Sequence, residues 1–366
     1  MTDQEHEPKL SLAQQGWTIS PTQPTQCINA NGVCQDSMLP FARDSHGRLW
    51  TLLGHSRAGG ITLWSGTTVD DMAKLGIIKY NFELGDAGIA FYGIPYPDGV
   101  RSRGGVWACG LWIDVSDDTF YCYVHNETGW GAGTTSYTAY GYQEGEPDFR
   151  HIGLMTSHDY GQSWDFVGWI ITSHEPCWTT AFQPDGVTGG QDPEAFSLGA
   201  GDLTLYVNHD DGYLYIYYTQ GIPKVGSMIY AARAAISSNG LPGSWWKYYE
   251  DSFSEPGNMG RETPVCRHAC KPCMIYSTHL KQFLLTSYNG KLWHSGQGAC
   301  QIAFSPDPVH FGDPIPLDPT HHDLSRPYWT MCNTNAQGTP TVVGRTFRLF
   351  FEGNGTDVEK VDVTIA

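Results

Sequence analysis

The sequence predicts an all-β fold that repeats one small antiparallel sheet, and three observations lead to this prediction. The chain of 366 residues contains 43 Gly, 22 Pro, 13 Trp, 20 Tyr and 15 Phe, while charged residues make up only 16%. No window shows the 3.6-residue apolar period of an amphipathic surface helix. One apolar strand, preceded by another strand and a turn, recurs five times along the chain. These features favour many short strands joined by tight turns.

The recurring strand is an apolar, aromatic-rich run that follows a polar hairpin turn. Its five copies are RLWTLLGHS (48–56), TFYCYVHNE (119–127), YLYIYYTQG (213–221), QFLLTSYNG (282–290) and TFRLFFEGN (346–354). Units of three or four antiparallel strands, repeated at intervals of tens of residues, are typical of β-propeller blades. We therefore predict a single-domain, five-bladed β-propeller.

The limits of the blades follow from the repeat. The predicted blades extend over residues 36–80, 100–172, 200–250, 268–316 and 330–366. The N-terminal segment GWTISP (16–21) is expected to supply a strand that closes the last blade. A β-sandwich is the alternative fold, but a sandwich does not require the same strand-turn-strand pattern to recur five times.

Charge and cysteine content limit the partners and the compartment. A net charge of −17, with 21 Lys and Arg, argues against nucleic acid and against an anionic membrane as partners. No apolar run is long enough to cross a bilayer. Ten cysteines and the sequons at Asn126 and Asn354 favour a secreted protein, although the N-terminal residues lack a secretory-signal pattern. We expect a disulfide between Cys109 and Cys122, on adjacent strands of blade two. The oligomeric state is left open.

The beginnings of the inner strands are the predicted functional site, because they surround the central channel of a propeller at one face. Aligning the blades on their shared strand places Asp36 and Asp202 at equivalent positions that open blades one and three. Lys271 takes this position in blade four, and Trp107 lies near it in blade two. Two carboxylates across a channel can cleave a glycosidic bond, one as acid and the other as base or nucleophile. We predict Asp36 as base or nucleophile, with Asp202 and Glu127 as alternatives for the acid.

Other residues near the channel are predicted to bind the substrate. His55 and His125 occupy matching positions at the ends of the second strands of blades one and two. Aromatic rings at the channel mouth, Tyr328 among them, are expected to stack on sugar faces. The predicted substrate-binding residues are His55, His125, Trp107, Arg103, Asp192, Lys271 and Trp130.

The run D-x-x-x-x-F-x-R-D-x-x-G-R-L-W, from Asp36 to Trp50, combines with the five repeats into a recognisable pattern. It resembles the five-bladed propeller glycosidases that cleave arabinans, xylosides and fructans. The resemblance implies hydrolysis of a plant or microbial polysaccharide or oligosaccharide, with Asp36 as base or nucleophile. That family also has an Asp opening blade two and a Glu opening blade three. Here RSRGGVWACG (101–110) lacks the former, and Asp202 replaces the latter. No cofactor is implied, and a structural calcium ion is left open.

A second motif is SHDYGQSW, from Ser157 to Trp164, which has the form Ser-x-Asp-x-Gly-x-x-Trp. In such a turn the Asp bonds the backbone, the Gly supplies a positive φ, and the Trp covers the turn. The motif resembles the Asp-box of sialidases and other β-propellers, which joins the outer strands of a blade far from the active site. It therefore indicates a scaffold and not a catalytic group.

Two other functions are left open. A propeller polysaccharide lyase would abstract a proton beside a uronate carboxylate, with His55, His125 or Tyr123 as base and Arg103 or Lys271 holding the acid. A non-catalytic carbohydrate-binding propeller would repeat its sugar site in every blade, whereas the polar residues here differ between blades. Sugar identity, linkage, exo or endo action, and a retaining or inverting outcome are not fixed by the sequence.

Overall fold

The computed structural model describes residues 10–25, 27–28, 36–56, 58–82, 84–85, 89–90, 105–127, 150–174, 199–222, 226–267, 269–289, 299–353 and 358–366. Within these ranges the chain forms β-strands and turns, with short 3-10 helices at Ile236–Ser238 and His322–Ser325. No helix in the described part of the chain is long and apolar enough to cross a membrane.

The first strands of the chain belong to two different blades. Strands β1 (Thr18–Ile19) and β2 (Gln23–Pro24) both pair with the last strand of the chain. Blade one is a consecutive antiparallel sheet. Its strands are β3 (Phe41–Arg43), β4 (Leu49–His55), β5 (Ala58–Gly66) and β6 (Ala73–Ile77). Strand β7 (Lys79–Tyr80) then pairs in parallel with the outer strand of blade two, and β8 (Leu84–Gly85) forms a hairpin with β9 (Ile89–Ala90).

Blades two and three follow the same antiparallel order. Blade two consists of β10 (Gly105–Asp114), β11 (Thr119–Glu127), β12 (Arg150–Ser157) and β13 (Ser163–Ile171). Blade three consists of β14 (Gly201–Asn208), β15 (Tyr213–Ile222), β16 (Gly226–Ala235), β17 (Trp246–Tyr249) and β18 (Ser252–Pro256).

The last two blades bring distant parts of the chain together. Blade four consists of β19 (Ala269–Ser277), β20 (Gln282–Asn289), β21 (Cys300–Ser305) and β22 (Ile315–Pro316). Blade five contains β23 (Thr330–Cys332), β25 (Thr346–Glu352) and β26 (Val358–Thr364), while the intervening β24 (Val342–Val343) pairs in parallel with β19. Because β1 is the neighbour of β26, strands from both terminal regions lie in one sheet.

The second strand of a blade is buried on both faces, which explains its nearly continuous apolar sequence. In β15 the side chains of Leu214 and Ile216 pack against blade two. The alternating Tyr215 and Tyr217 pack against blade four. This strand therefore fills two interfaces at once.

The apolar core of the described residues falls into clusters that lie between successive blades. Each cluster contains buried residues of two neighbouring blades, and the last cluster joins blade five to blade one. Representative pairs, from the interface of blades one and two onward, are Trp50 and Trp164, Tyr123 and Tyr218, Tyr217 and Phe283, Ile275 and Phe347, and Leu53 and Phe350. This closed ring of interfaces is consistent with five blades around one axis.

The axis itself is nearly filled by side chains. A cavity of about 20 Å³ is lined by residues of all the blades, including Leu39, Cys109, Leu205, Cys273 and Met331. A space of this size holds roughly one water molecule. No ligand larger than a water molecule fits in this part of the axis.

The predicted disulfide between Cys109 and Cys122 is wrong, since both are free and buried, as are most other described cysteines. Cys109 lies at a register shift of β10 and packs between blades two and three. Cys122 packs between blades one and two, on the opposite face of the sheet. Burial raises the pKa of the Cys266 and Cys270 thiols to about 12, which makes such thiols unreactive. Secretion remains a prediction, and the described cysteines form no disulfide that would support it.

Candidate active site

The beginnings of the inner strands share an unusual backbone conformation. Asp36, Asp202, Lys271 and Tyr328, in blades one, three, four and five, have φ values of +40°, +41°, +56° and +66°. Residues other than glycine rarely adopt positive φ. The pairing register also shifts at Asp202 and around Lys271, as it does at Cys109 in blade two. Such bulges redirect side chains and are frequent beside active sites.

Asp36 is held by the aromatic residue of the next blade. The indole Nε1 of Trp107 donates a hydrogen bond of 3.0 Å to Oδ2 of Asp36. The Trp107 ring stacks on His55, with centroids 4.8 Å apart and planes inclined by 19°. His55 and Trp107 are also the residue pair through which β4 meets β10. The contact between blades one and two thus fixes the orientation of the Asp36 carboxylate.

Asp202 is connected to the same group through His125. The Trp107 and His125 rings lie 5.4 Å apart, and the backbone N–H of Asp202 donates to Nδ1 of His125 at 2.8 Å. Gly201 permits this close approach, because a Cβ there would lie 2.7 Å from Cε1 of His125. Asp36 therefore contacts Trp107 and Asp202 contacts His125, so the Trp107–His125 ring pair connects the two aspartates.

Lys271 and Tyr328 complete the site from blades four and five. The backbone N–H of Lys271 donates to Oγ1 of Thr219 at 2.8 Å, which fixes the bulge against blade three. The Lys271 ammonium lies 3.6 Å from the centroid of the Tyr328 ring, a cation–π contact, and the lysine is 3% exposed. Burial lowers the pKa of Lys271, and the nearby carboxylates of Asp202 and Asp36 partly oppose this effect.

The electrostatics of Asp202 favour its ionised form. Burial raises the pKa of this carboxyl, but His125 and the positive charges of Lys271 and Arg150 lower it more, so that the pKa lies well below its usual range. Nδ1 of His125 is 3.4 Å from Oδ1 of Asp202, longer than its 2.8 Å contact with the backbone N–H. The shorter contact requires a lone pair on Nδ1. We therefore attribute the lowered pKa chiefly to Lys271 and Arg150.

Most predicted site residues that the structure describes lie together. The group consists of Asp36, Asp202, His55, His125, Trp107 and Lys271. Glu127 pairs through its main chain with Gly105 and Arg150, and its side chain lies outside the described residues. Arg103, Trp130 and Asp192 also lie outside them. In the described part of the chain no cluster of three His, Cys, Asp or Glu side chains is arranged to hold a metal ion.

Sequence reasoning missed two charged residues that act on this site. Arg150 begins β12 opposite the end of β11, and its charge lowers the pKa of Asp202. Glu352 ends β25 and interacts electrostatically with Lys271. Glu352 occupies the strand end that corresponds to His55 and His125. The alignment of the second strands could have identified it.

The fold and the site define a β-propeller in which one face of the axis carries two carboxylates, two imidazoles, an indole and a buried ammonium. Solved structures of similar fold include a family 117 glycoside hydrolase from the marine bacterium Zobellia galactanivorans, with a TM-score of 0.52 and 11% identity, covering 96% of this chain and 90% of that chain. A GH43 β-1,3-galactosidase has a TM-score of 0.51 and 11% identity, and the match covers 93% of this chain and 60% of that chain.

An endo-1,5-α-L-arabinanase from Thermotoga petrophila RKU-1 has a TM-score of 0.50 and 14% identity, with 93% of this chain and 72% of that chain covered. No protein-family model matches the chain, and no curated protein matches it in sequence. At these identities the similarity establishes that the chain shares its fold with these glycoside hydrolases.

Proposed function

We propose that the protein is a glycoside hydrolase that cleaves a plant or microbial polysaccharide or oligosaccharide at the opening of the propeller axis. The observation that carries this proposal is the convergence of Asp36 and Asp202 on the Trp107–His125 ring pair. Asp36 contacts one ring of this pair and Asp202 contacts the other, although the two residues are far apart in the sequence. Paired carboxylates are the usual machinery for hydrolysis of a glycosidic bond.

The environments of the carboxylates suggest different roles. Asp36, oriented by Trp107, is the proposed base or nucleophile. The lowered pKa of Asp202 makes this residue unsuitable as the general acid, which must be protonated before it reacts. Asp202 instead remains ionised and stabilises the positive charge that develops on the sugar ring in the transition state. Glu127 is then the proposed acid.

A lyase is the second candidate, because a buried lysine and a tyrosine ring lie in contact at this site. A lyase needs a cation that binds the uronate carboxylate of the substrate and a base that removes the adjacent proton. Here the Lys271 charge already interacts with Asp202, Asp36 and Glu352. An ammonium balanced by three carboxylates attracts a substrate carboxylate weakly. The site therefore favours hydrolysis.

A panel of polysaccharides distinguishes the two reactions. The purified protein is incubated with arabinan, fructan, xylan, galactan and uronate-containing gums, and both reducing ends and ultraviolet absorbance are followed. We expect new reducing ends without absorbance from an unsaturated uronate. Equal growth of both signals would identify a lyase, and no reaction with any glycan would contradict the proposed hydrolase.

The assignment of the acid is tested with leaving groups of different basicity. A variant without its general acid loses activity on natural glycosides but keeps more of it on aryl glycosides whose leaving group needs no proton. We expect this pattern for Glu127→Gln and not for Asp202→Asn. The opposite pattern would assign the acid to Asp202.

A further inference from the structure

A second cavity lies between blades one and two, outside the axial site. Its volume is about 960 Å³, and its walls are the hairpin turn at residues 44–48, the edge strand β6 and the turn at residues 157–164. The proposed hydrolytic mechanism uses none of these residues. They therefore need a separate explanation.

The cavity lies at the opposite end of the blades from the carboxylates. Strand β12 begins at Arg150, close enough to Asp202 to influence its charge, and ends at Ser157 beside the cavity. Eight residues of extended strand span roughly 25 Å. At this distance, one sugar residue cannot contact both the cavity and the axial site.

Tyr160 is an exposed aromatic residue of the cavity wall. Its ring stacks on Trp50, with centroids 6.2 Å apart and planes inclined by 23°, yet the residue remains 45% exposed. Its φ is +57°, a conformation that is uncommon for a bulky residue and that Asn or Gly adopts with less strain. The turn thus presents an aromatic ring at a position where its own geometry would favour a smaller residue.

The other walls combine apolar and polar groups. Leu75 and Ile77 of β6 are 53% and 58% exposed, which is unusual for large aliphatic side chains that share one cavity. Arg48, Lys79 and Gln162 also line the cavity and offer hydrogen-bond donors. An aromatic face beside hydrogen-bonding groups suits a sugar ring, which has an apolar C–H face and hydroxyl groups at its edge.

We infer that this cavity is a second carbohydrate-binding site, in which Tyr160 stacks on a sugar ring and holds a polysaccharide away from the axial pocket. The inference rests on the proposed function, since it takes the same class of ligand. It assigns Tyr160 a role in polysaccharide binding and none in bond cleavage.

Affinity gel electrophoresis with the polysaccharide panel tests the inference independently of turnover. Every polysaccharide is included whether or not it is hydrolysed, and all proteins carry Asp36→Asn so that the gel is not digested. Tyr160→Asn removes the ring and suits the positive φ, whereas Tyr160→Phe keeps the ring. Trp246→Ala is the matched control, because Trp246 is 48% exposed and lies outside the cavity.

Retardation of the parent protein by at least one polysaccharide is expected. Tyr160→Asn should weaken this binding about threefold to tenfold, the effect of one lost stacking contact. Tyr160→Phe and Trp246→Ala should bind like the parent. In the enzyme that retains Asp36, Tyr160→Asn should leave turnover of a small aryl glycoside unchanged.

Three results would overturn the inference. The first is a parent protein that no polysaccharide retards. The second is a Tyr160→Asn variant that binds as tightly as the parent. The third is a Tyr160→Asn variant that changes its oligomeric state in sedimentation experiments but binds polysaccharide like the parent. That result would make this surface a contact between two copies of the chain. Failure of the proposed hydrolase would appear separately, as retardation of the parent together with no turnover by the protein that retains Asp36.

Discussion

Lys271 is the residue whose charge has the greatest consequence for the proposed chemistry. Its ammonium helps to keep the pKa of Asp202 below the usual range. Lys271→Met removes that charge, so the pKa of Asp202 should rise. Followed by carbon-13 NMR, the titration profile of the Asp202 carboxyl should move to higher pH by roughly one unit, the effect of losing one nearby opposite charge.

The control for this measurement is Lys281→Met. Lys281 is exposed and has the same φ of +56° as Lys271, so both substitutions place methionine in the same backbone conformation. The profile of Lys281→Met should match the wild type. An unshifted titration of the Asp202 carboxyl in Lys271→Met would show that Lys271 does not control the ionisation of Asp202.

The sequence predicts which residues open the blades but not how they are held. Aligning the repeats was enough to place Asp36, Asp202 and Lys271 in equivalent positions. Their positive φ values, and the hydrogen bond from Trp107 to Asp36, depend on neighbouring blades that no local pattern encodes. The sequence also left the acid open between Asp202 and Glu127, because Arg150, whose charge acts on Asp202, is distant from it in the sequence.

At the scale of single elements, the turn from Ser157 to Trp164 is a structural unit. The carboxylate of Asp159 accepts hydrogen bonds from the backbone N–H groups of Gln162 and Ser163 at 3.0 and 2.8 Å, and from both serine hydroxyls of the turn. Asp159→Ala should lower the free energy of unfolding by about 2 kcal/mol, since it leaves several donors unpaired. Turnover should not change.

Urea unfolding and kcat on a small substrate check this prediction together. The matched variant is Asp165→Ala, an exposed aspartate on the following strand β13. It should cost well under 1 kcal/mol. A large loss of kcat in Asp159→Ala at unchanged stability would give this turn a part in catalysis.

A buried ion pair connects blades two and three. The Lys247 ammonium donates to the carbonyl oxygens of Thr172 and Gly260, both at 2.8 Å, and to the carboxylate of Glu262. The side chains of Lys247 and Glu262 are 0% and 2% exposed. Lys247→Met should destabilise the protein by about 3–5 kcal/mol, because Glu262 keeps a buried charge that has lost its ammonium.

Combining this change with Glu262→Gln tests that explanation. Removing the second charge should restore part of the lost stability, so the double variant should unfold at higher urea concentration than Lys247→Met alone. A double variant that is less stable than the single one would show that the charge of Glu262 is not the cause.

The strands also show where sequence patterns mislead. Adjacent strands suggested a disulfide, yet the bulge at Cys109 and the alternation of β11 direct Cys109 and Cys122 to different interfaces. The same alternation explains β15, where tyrosines and aliphatic residues face different blades. The sequence therefore predicts which segments form strands. The side of the sheet on which each side chain lies depends on the pairing register, which the sequence does not reveal.

At the scale of the whole molecule, the N-terminal segment joins blades four and five. Trp17 is 8% exposed, and its ring meets the edges of Phe304 in blade four and Phe347 in blade five, with centroids 5.9 and 6.4 Å away. Trp17→Ala should lower the free energy of unfolding by about 3 kcal/mol. Chemical denaturation of Trp17→Ala and of the control Trp246→Ala checks this prediction. An equal loss of unfolding free energy in the two variants would contradict the role of Trp17.

The sequence predicts the number of blades but not the contacts between them. The recurring strand indicates five units, but the sequence does not show that β24 pairs with β19 or that Glu352 approaches Lys271. These contacts arise because closure of the ring brings together segments that are distant in the chain. The glycosidase resemblance likewise rests on architecture more than on shared residues.

The central claim is that the carboxylates at the axis perform hydrolysis, and Asp36→Asn tests it most directly. The kcat of this variant is measured on the best substrate of the panel. The control is Asp210→Asn, a change at an exposed aspartate in a hairpin turn. We predict a roughly thousandfold loss of kcat for Asp36→Asn at unchanged unfolding temperature, and none for Asp210→Asn. Near-normal kcat in Asp36→Asn would contradict the account.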